Sequence, residues 1–254
     1  MTDFHGKTAL VTGATSGIGR AIALALGARG AFVVATGRNA ARGAETVAAI
    51  EAMGGKAWFQ PQDIVREREW VALMGEIESR AGQLDIAVNC AGAFHTASIE
   101  NTSLEEFQSL WRTNVESCFL GTREAMRLMI RHKTAGAIVN IASLAGHIGV
   151  VDCAIYCASK AAVIHMSEAA AAEAATLQSG IRVNVLSPGV IWTEMITGSY
   201  GESDEVKAFA MAGNALQRIG TAQDSANGVV YLASDAARHV NGTALIIDGG
   251  RGAD

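Results

Sequence analysis

Proline occurs only twice in the 254 residues, at Pro61 and Pro188. A chain so poor in helix breakers suits long helices and strands joined at glycines, of which there are 28. Cysteine is scarce too, and Cys90, Cys118, Cys153 and Cys157 include no C-x-x-C pair. That excludes a disulfide framework, so free thiols in a reducing compartment are expected, and no metal site. No apolar run approaches the ~20 residues of a membrane span. The stretch Met1 to Lys7 holds no signal-peptide apolar region, so a soluble, cytoplasmic protein is expected. Charge is also low, at 18% of residues with a net charge of −5, which leaves no basic footprint for nucleic acid. What is abundant is apolar: half the residues, enough for a large core and too many for a disordered chain.

Those apolar residues fall in short runs at 8–12, 31–35, 57–59, 86–89, 137–141, 182–186 and 244–247. Runs of this length suit strands buried on both faces. Helix-length segments separate them, near 17–29, 40–53, 66–80, 105–132 and 156–179. The alternation predicts an α/β fold: a doubly wound parallel sheet of about seven strands with helices on both faces. No linker or change of composition divides the chain, so residues 1–254 are read as one domain. Ligands of such sheets bind at the carboxyl ends of the strands, which places the chemistry just after residues 12, 36, 61, 89, 141 and 187.

After the first strand stands Thr12-Gly13-Ala14-Thr15-Ser16-Gly17-Ile18-Gly19. Glycines let a backbone approach a pyrophosphate closely, and the following helix points unpaired N–H groups at the anion. The spacing is G-x-x-x-G-x-G and lacks the lysine of a phosphate-binding P-loop. A tight strand-to-helix turn would look similar, but the position at the first helix favours a dinucleotide. A cofactor with a free 2′-hydroxyl usually meets an acid at the end of the second strand. Here that point reads Thr36-Gly37-Arg38-Asn39, with no Asp or Glu between Gly19 and Glu45. Arg38 is placed to clamp a 2′-phosphate, whereas Arg20, Arg29 and Arg42 read as solvated helix residues. NADP(H) is therefore the expected cofactor, with NAD(H) as the second choice.

The ordered set Thr12-Gly13-x-x-x-Gly17-Ile18-Gly19, Asn89-Cys90-Ala91-Gly92, Asn114, Ser143, Tyr156-x-x-x-Lys160, Pro188-Gly189 and Asp248-Gly249-Gly250 resembles that of the short-chain dehydrogenase/reductase family across nearly the whole chain. Cys90 departs from it, since the family commonly has a second Asn there. The resemblance implies a Rossmann-type domain that interconverts a ketone and a secondary alcohol. The residues agree. Tyr156 and Lys160 share one helix face at i and i+4. A tyrosine with a pKa near ~10 is a poor base at neutral pH. An adjacent ammonium and an oxidised nicotinamide are expected to lower that value by ~2–3 units. Ser143 would hydrogen-bond the substrate carbonyl and stabilise its developing charge.

By the resemblance, Lys160 also holds the nicotinamide ribose and Asn114 positions a proton-relaying water, although a satisfied core amide is an equal reading of Asn114. Thr15, Ser16, Arg38 and Asn39 would join the glycine loop around the cofactor. Asn89, Ala91 and Gly92 would line its adenosine ribose, Asp63 and Ile64 its adenine. Pro188, Gly189, Ile191 and Thr193 would close over the nicotinamide. Substrate-facing candidates are His95, His147, Cys153 and Trp192 beside Ser143 and Tyr156, with a lid over about 195–216. Both histidines are expected as wall residues, because the Tyr/Lys/Ser set already supplies the acid.

Family members that reduce acyl-carrier-protein thioesters carry basic residues before the fifth strand and late in the helix after the Tyr. Here those stretches read Lys133-Thr134-Ala135 and Thr176-Leu177-Gln178-Ser179, with Glu168 and Glu173 adding negative charge. A small carbonyl or alcohol substrate is thus favoured over 3-oxoacyl-(acyl-carrier-protein) reduction. A nucleotide-binding regulator without catalysis is the alternative of another class. The family resemblance and the small residues of 168–175 lead us to expect a homotetramer.

Overall fold

The computed structural model describes residues 3–252. Its sheet has seven parallel strands: β1 (Thr8–Val11), β2 (Phe32–Gly37), β3 (Lys56–Pro61), β4 (Ile86–Asn89), β5 (Ala137–Ile141), β6 (Arg182–Pro188) and β7 (Ala244–Ile247). Their spatial order is β3-β2-β1-β4-β5-β6-β7. The chain winds outward from β1 through β3, then returns so that β4 pairs with the other side of β1. This reversal between β1 and β4 opens a crevice at their carboxyl ends.

Helices cover both faces, which is why the inner strands are apolar throughout. Every residue of β1, β4 and β5 is buried. Ala9, Val11, Val33, Ala35 and Val88 face one layer, against Ile22 and Leu26 of α1 (Gly17–Gly27), Ile50 of α2 (Ala40–Ala52) and Val229 of α9 (Ala222–Ala233). The alternate residues Leu10, Val34, Ala87 and Ile138 face the other. There they meet Trp70, Leu73 and Ile77 of α3 (Glu67–Ala81), Leu128 of α5 (Ser117–His132) and Ala174 of α6 (Ala154–Thr176). Burying each such Leu, Ile or Val contributes ~1.5–3 kcal/mol. Pro61 closes β3 at the sheet edge, where a missing N–H costs least.

Two differences from the sequence reading matter for the site. The segment expected as one helix over 105–132 is α4 (Leu104–Trp111), a π-type turn (Arg112–Glu116) and then α5. One extra residue per turn is tolerated because it carries Asn114 inward, to 3% exposure, where its amide is fully engaged. Between β6 and β7 the structure has α7 (Glu194–Tyr200) and α8 (Asp204–Met211) over the stretch expected as a lid, and also α9. The start of α9 is fixed by a reciprocal cap between Thr221 and Asp224.

Candidate active site

The carboxyl ends of β1, β2, β4, β5 and β6 border one cleft of about 680 Å³, within the ~300–1,000 Å³ usual for small-molecule sites. Gly13, Thr15, Ser16, Gly17, Ile18 and Gly19 form its floor. Gly13 takes a φ of +68°, and a Cβ there would stand 3.0 Å from the Ala91 Cα. A Cβ on Gly19 would stand 2.3 Å from the Gly13 carbonyl oxygen. The loop is therefore as tight as its glycines allow. Ser16, the N-cap of α1, makes no side-chain cap hydrogen bond, and the first turn holds no acid. The opening N–H groups of α1 are left for an anion, as a pyrophosphate requires. The Thr12 hydroxyl, unnoticed in the sequence reading, accepts the N–H groups of Cys90 (3.0 Å) and Ala91 (3.1 Å) and ties the β4 end to this loop.

At one end of the cleft Tyr156 stands in the first turn of α6, with Lys160 one turn on and Ser143 just past β5. Ser143 and Tyr156 both line the cleft here, and the Phe94 ring meets the Tyr156 ring edge-on at 4.9 Å. The Lys160 Nζ donates to the Ile141 carbonyl at 3.0 Å and lies 5.7 Å from the Tyr156 ring centre. In the protein by itself, burial pushes the Tyr156 phenol up to about 12, against the opposing pull of the Ser143 hydrogen bond. Burial likewise lowers the Lys160 ammonium, which Cys118 and Cys90 partly offset. Desolvation of the buried phenol outweighs the attraction of the nearby ammonium.

Asn114 clamps the strand after β4: its Oδ1 accepts from Ala93 N (2.8 Å), and its Nδ2 donates to Ala93 O (3.0 Å) and Ser159 Oγ (3.1 Å). Of the other expected residues, Arg38, Asp63, Ile64, Ala91 and Gly92 line the cleft, as do Pro188, Gly189, Ile191 and Thr193. Arg38 is exposed, and the Asp63 carboxylate is paired with Arg66 Nε at 2.9 Å. Asn39 instead caps α2, accepting from Arg42 N at 3.1 Å. Asn89 is buried beneath the cleft, donating to Asn140 Oδ1 (2.8 Å) and Thr122 Oγ1 (3.3 Å). Its side chain faces the core because β4 packs against α5 there.

The four substrate candidates stand off the cleft wall. His147 Nε2 meets Ser187 Oγ at 2.9 Å, His95 Nε2 approaches Glu106 at 4.0 Å, and Trp192 N donates to Gly220 O at 2.9 Å. Cys153 is buried as the N-cap of α6. Lining residues that the sequence reading missed include Gln62, Val65, Ala93, Ser109 and Thr113, whereas Met195 and Ile196 come from the stretch expected as a lid. The former carry no motif, and only chain folding brings them to the cleft. All four cysteines are free, and among the described residues no cluster of His, Cys, Asp or Glu is arranged to hold a metal.

The burial that governs Tyr156 also pushes the thiols of Cys90 and Cys118 up to about 12. Each group is neutral when protonated and binds its proton more tightly folded than unfolded. Their contribution is complete below the ordinary thiol value of 9.0 and is lost as pH rises through about 12. Cys118 alone, 5% exposed, accounts for a loss on the order of 3 kcal/mol by the top of that range. The urea midpoint is expected to fall steadily from pH ~8 to ~11, and Cys118→Ala to flatten part of the fall. A midpoint constant over that range would disprove the buried placement.

The family model described as enoyl-(acyl carrier protein) reductase matches residues 13–251. The 3beta-hydroxysteroid dehydrogenase of Mediterraneibacter gnavus is 36% identical, with 98% of this chain and 96% of the relative covered. The 3-oxoacyl-(acyl-carrier-protein) reductase of Haemophilus influenzae is 37% identical, covering 97% and 98%. A protein from Beutenbergia cavernae, described as an NAD(P)-dependent gluconate 5-dehydrogenase and solved with NADP at low occupancy, superposes with a TM-score of 0.92. It is 34% identical, and 99% of each chain is covered. With its seven-stranded doubly wound sheet, its glycine-floored cleft and the Ser143, Tyr156 and Lys160 set at one end, this chain belongs to the short-chain dehydrogenase/reductase family and is an oxidoreductase of CH–OH groups.

Proposed function

We propose that the protein reduces a small ketone to a secondary alcohol with NADPH, and runs the reverse reaction with NADP⁺, with Tyr156 as the acid and base. The observation that carries this reading is the gathering of Ser143, Tyr156 and Lys160 at the end of a dinucleotide-sized cleft. The nicotinamide cofactor, when bound, supplies or takes the hydride. The uncapped start of α1 and the tight glycine floor fit its pyrophosphate, and Arg38 fits a 2′-phosphate.

The protein's own residues manage the oxygen and its proton. The Ser143 hydroxyl polarises the carbonyl, and the Tyr156 phenol donates its proton to the alkoxide as it forms. A phenol held well above neutrality is fully protonated, which is the form that reduction requires. Lys160, behind the ring, opposes the cost of leaving a phenolate in a buried place. Asn114 holds the Ala93 segment against α6 and keeps the wall beside Tyr156 in register.

The Haemophilus influenzae relative favours an acyl-carrier thioester as the second reading. Against it, α6 turns Glu168 and Glu173 to solvent late in its length, which an acidic carrier protein would find repulsive. The test is a carbonyl panel that includes an acetoacetyl thioester, followed by NADPH absorbance. Turnover of simple ketones above the thioester is expected. Binding of NADPH with no turnover of any carbonyl would make the protein a nucleotide-binding regulator instead.

A further inference from the structure

Ser143 opens a short turn (Leu144–Gly146) between β5 and α6. The turn is bonded within itself. The Ser143 hydroxyl oxygen accepts from Ala145 N at 3.2 Å, the Ser143 carbonyl from Gly146 N at 2.9 Å, and the Leu144 carbonyl from His147 N at 2.8 Å. Ser143 therefore moves only as the whole turn moves. Because Ala145 occupies a lone pair of its oxygen, the Ser143 hydroxyl keeps its proton for an acceptor in the cleft.

The turn hangs from β6 at two neighbouring points. Before Ser143, Ala142 N donates to Leu186 O at 2.8 Å. After it, His147 Nε2 hydrogen-bonds Ser187 Oγ at 2.9 Å. The first is backbone pairing that almost any residue could make, whereas the second needs this side chain. Ser187 is fully buried, and among the described residues its hydroxyl has no other hydrogen-bond partner. A buried hydroxyl left unpaired is costly, which gives the bond a definite hold on the turn. On its other side the turn rests on α6, where a Cβ at Gly146 would stand 3.0 Å from the Lys160 carbonyl oxygen. Gly146 sets how near the turn comes to α6, and His147 sets how far it stands from β6. Ser187 is followed directly by Pro188 and Gly189, which line the cleft, so the bond also joins two of its walls.

We propose that His147 is a positioning residue for the reaction: through Ser187 it holds the Ser143 turn against β6 and so sets where the Ser143 hydroxyl stands. This rests on the role given to Ser143 above. His147 and Ser187 lie behind the lining of the cleft and touch no reacting atom. The effect falls on kcat, because a displaced polarising hydroxyl weakens the transition state more than the bound ketone.

The experiment uses the full chain, NADPH and the ketone that turns over fastest in the carbonyl panel. His147→Ala is expected to lower kcat roughly tenfold, with KM for the ketone and NADPH affinity by protein fluorescence within about twofold. His147→Gln, whose amide reaches about as far as Nε2, should recover most of that loss, whereas His147→Asn, which reaches only to Nδ1, should not. Ser187→Ala should reproduce the His147→Ala result, and it carries the test if a change at His147 prevents folding. In a Ser143→Ala background His147→Ala should cost less than about twofold more, because a hydroxyl that is gone cannot be misplaced. A merely structural role would give the same loss in both backgrounds and a recovery that follows bulk, not reach. The inference is overturned if kcat stays near wild type in His147→Ala and Ser187→Ala, or if the loss appears in NADPH affinity instead. It is equally overturned if Gln recovers no better than Asn, or if the loss persists in full without Ser143. Should Ser143→Ala itself keep wild-type kcat, the role of Ser143 falls and this inference falls with it.

Discussion

Tyr156→Phe is expected to lower kcat for ketone reduction by ~10³-fold, in the range that loss of a positioned general acid produces. The substitution leaves the ring, and with it the edge-on packing of Phe94 at 4.9 Å and the nearby Lys160 ammonium. Only the proton and the oxygen that meets Ser143 are removed. NADPH affinity, read by protein fluorescence, should therefore stay within about twofold, because no transition-state interaction enters it. The two measurements together separate chemistry from binding. A variant that retained a tenth of wild-type turnover would show that another group donates the proton, and the buried phenol would then be part of the wall only.

Arg38→Ala is expected to lower kcat/KM with NADPH roughly tenfold to a hundredfold while leaving NADH within about twofold. A charge-assisted contact between a guanidinium and a phosphate contributes ~1.5–3 kcal/mol, which sets that range. Arg38 is exposed at the cleft edge directly after β2, and no other protein group is seen to engage it among the described residues. The acid that would take a free 2′-hydroxyl is absent. A Cβ at Gly37 would stand 2.7 Å from Thr15 Cγ2, so a side chain there would press on the glycine loop. Asp63, across the cleft, is already paired with Arg66 and adds little repulsion. The check is a pair of Michaelis curves for wild type and variant, one with each cofactor. A wild type that preferred NADH, or a variant with an undiminished NADPH preference, would make Arg38 an ordinary surface residue.

Much of this was open to the sequence because it rests on local chemistry. Runs such as Val33-Val34-Ala35 and Ile138-Val139 are apolar at every position, which only a strand covered on both faces requires, and so the layered sheet could be read directly. The glycine loop, Ser143 and the Tyr156–Lys160 pair are recognisable for the same reason: each owes its role to residue type at a short spacing. Tertiary packing decided the rest. The break at Arg112–Glu116 depends on one extra residue per turn, which a period of 3.6 cannot register, and its purpose is a contact between Asn114 and Ala93 from another element. His147 turned to Ser187 and Asn89 to Asn140 because side-chain direction follows the neighbours each strand end meets, not its place in the chain. Burial pushes the Tyr156 phenol up because desolvation sums over all surrounding atoms, which no short spacing registers. The sequence alone thus determined the sheet, the family and the glycine loop that floors the cleft. The folded chain decided which way the side chains at the strand ends turn and the break that carries Asn114 inward, because both depend on atoms brought together from distant segments.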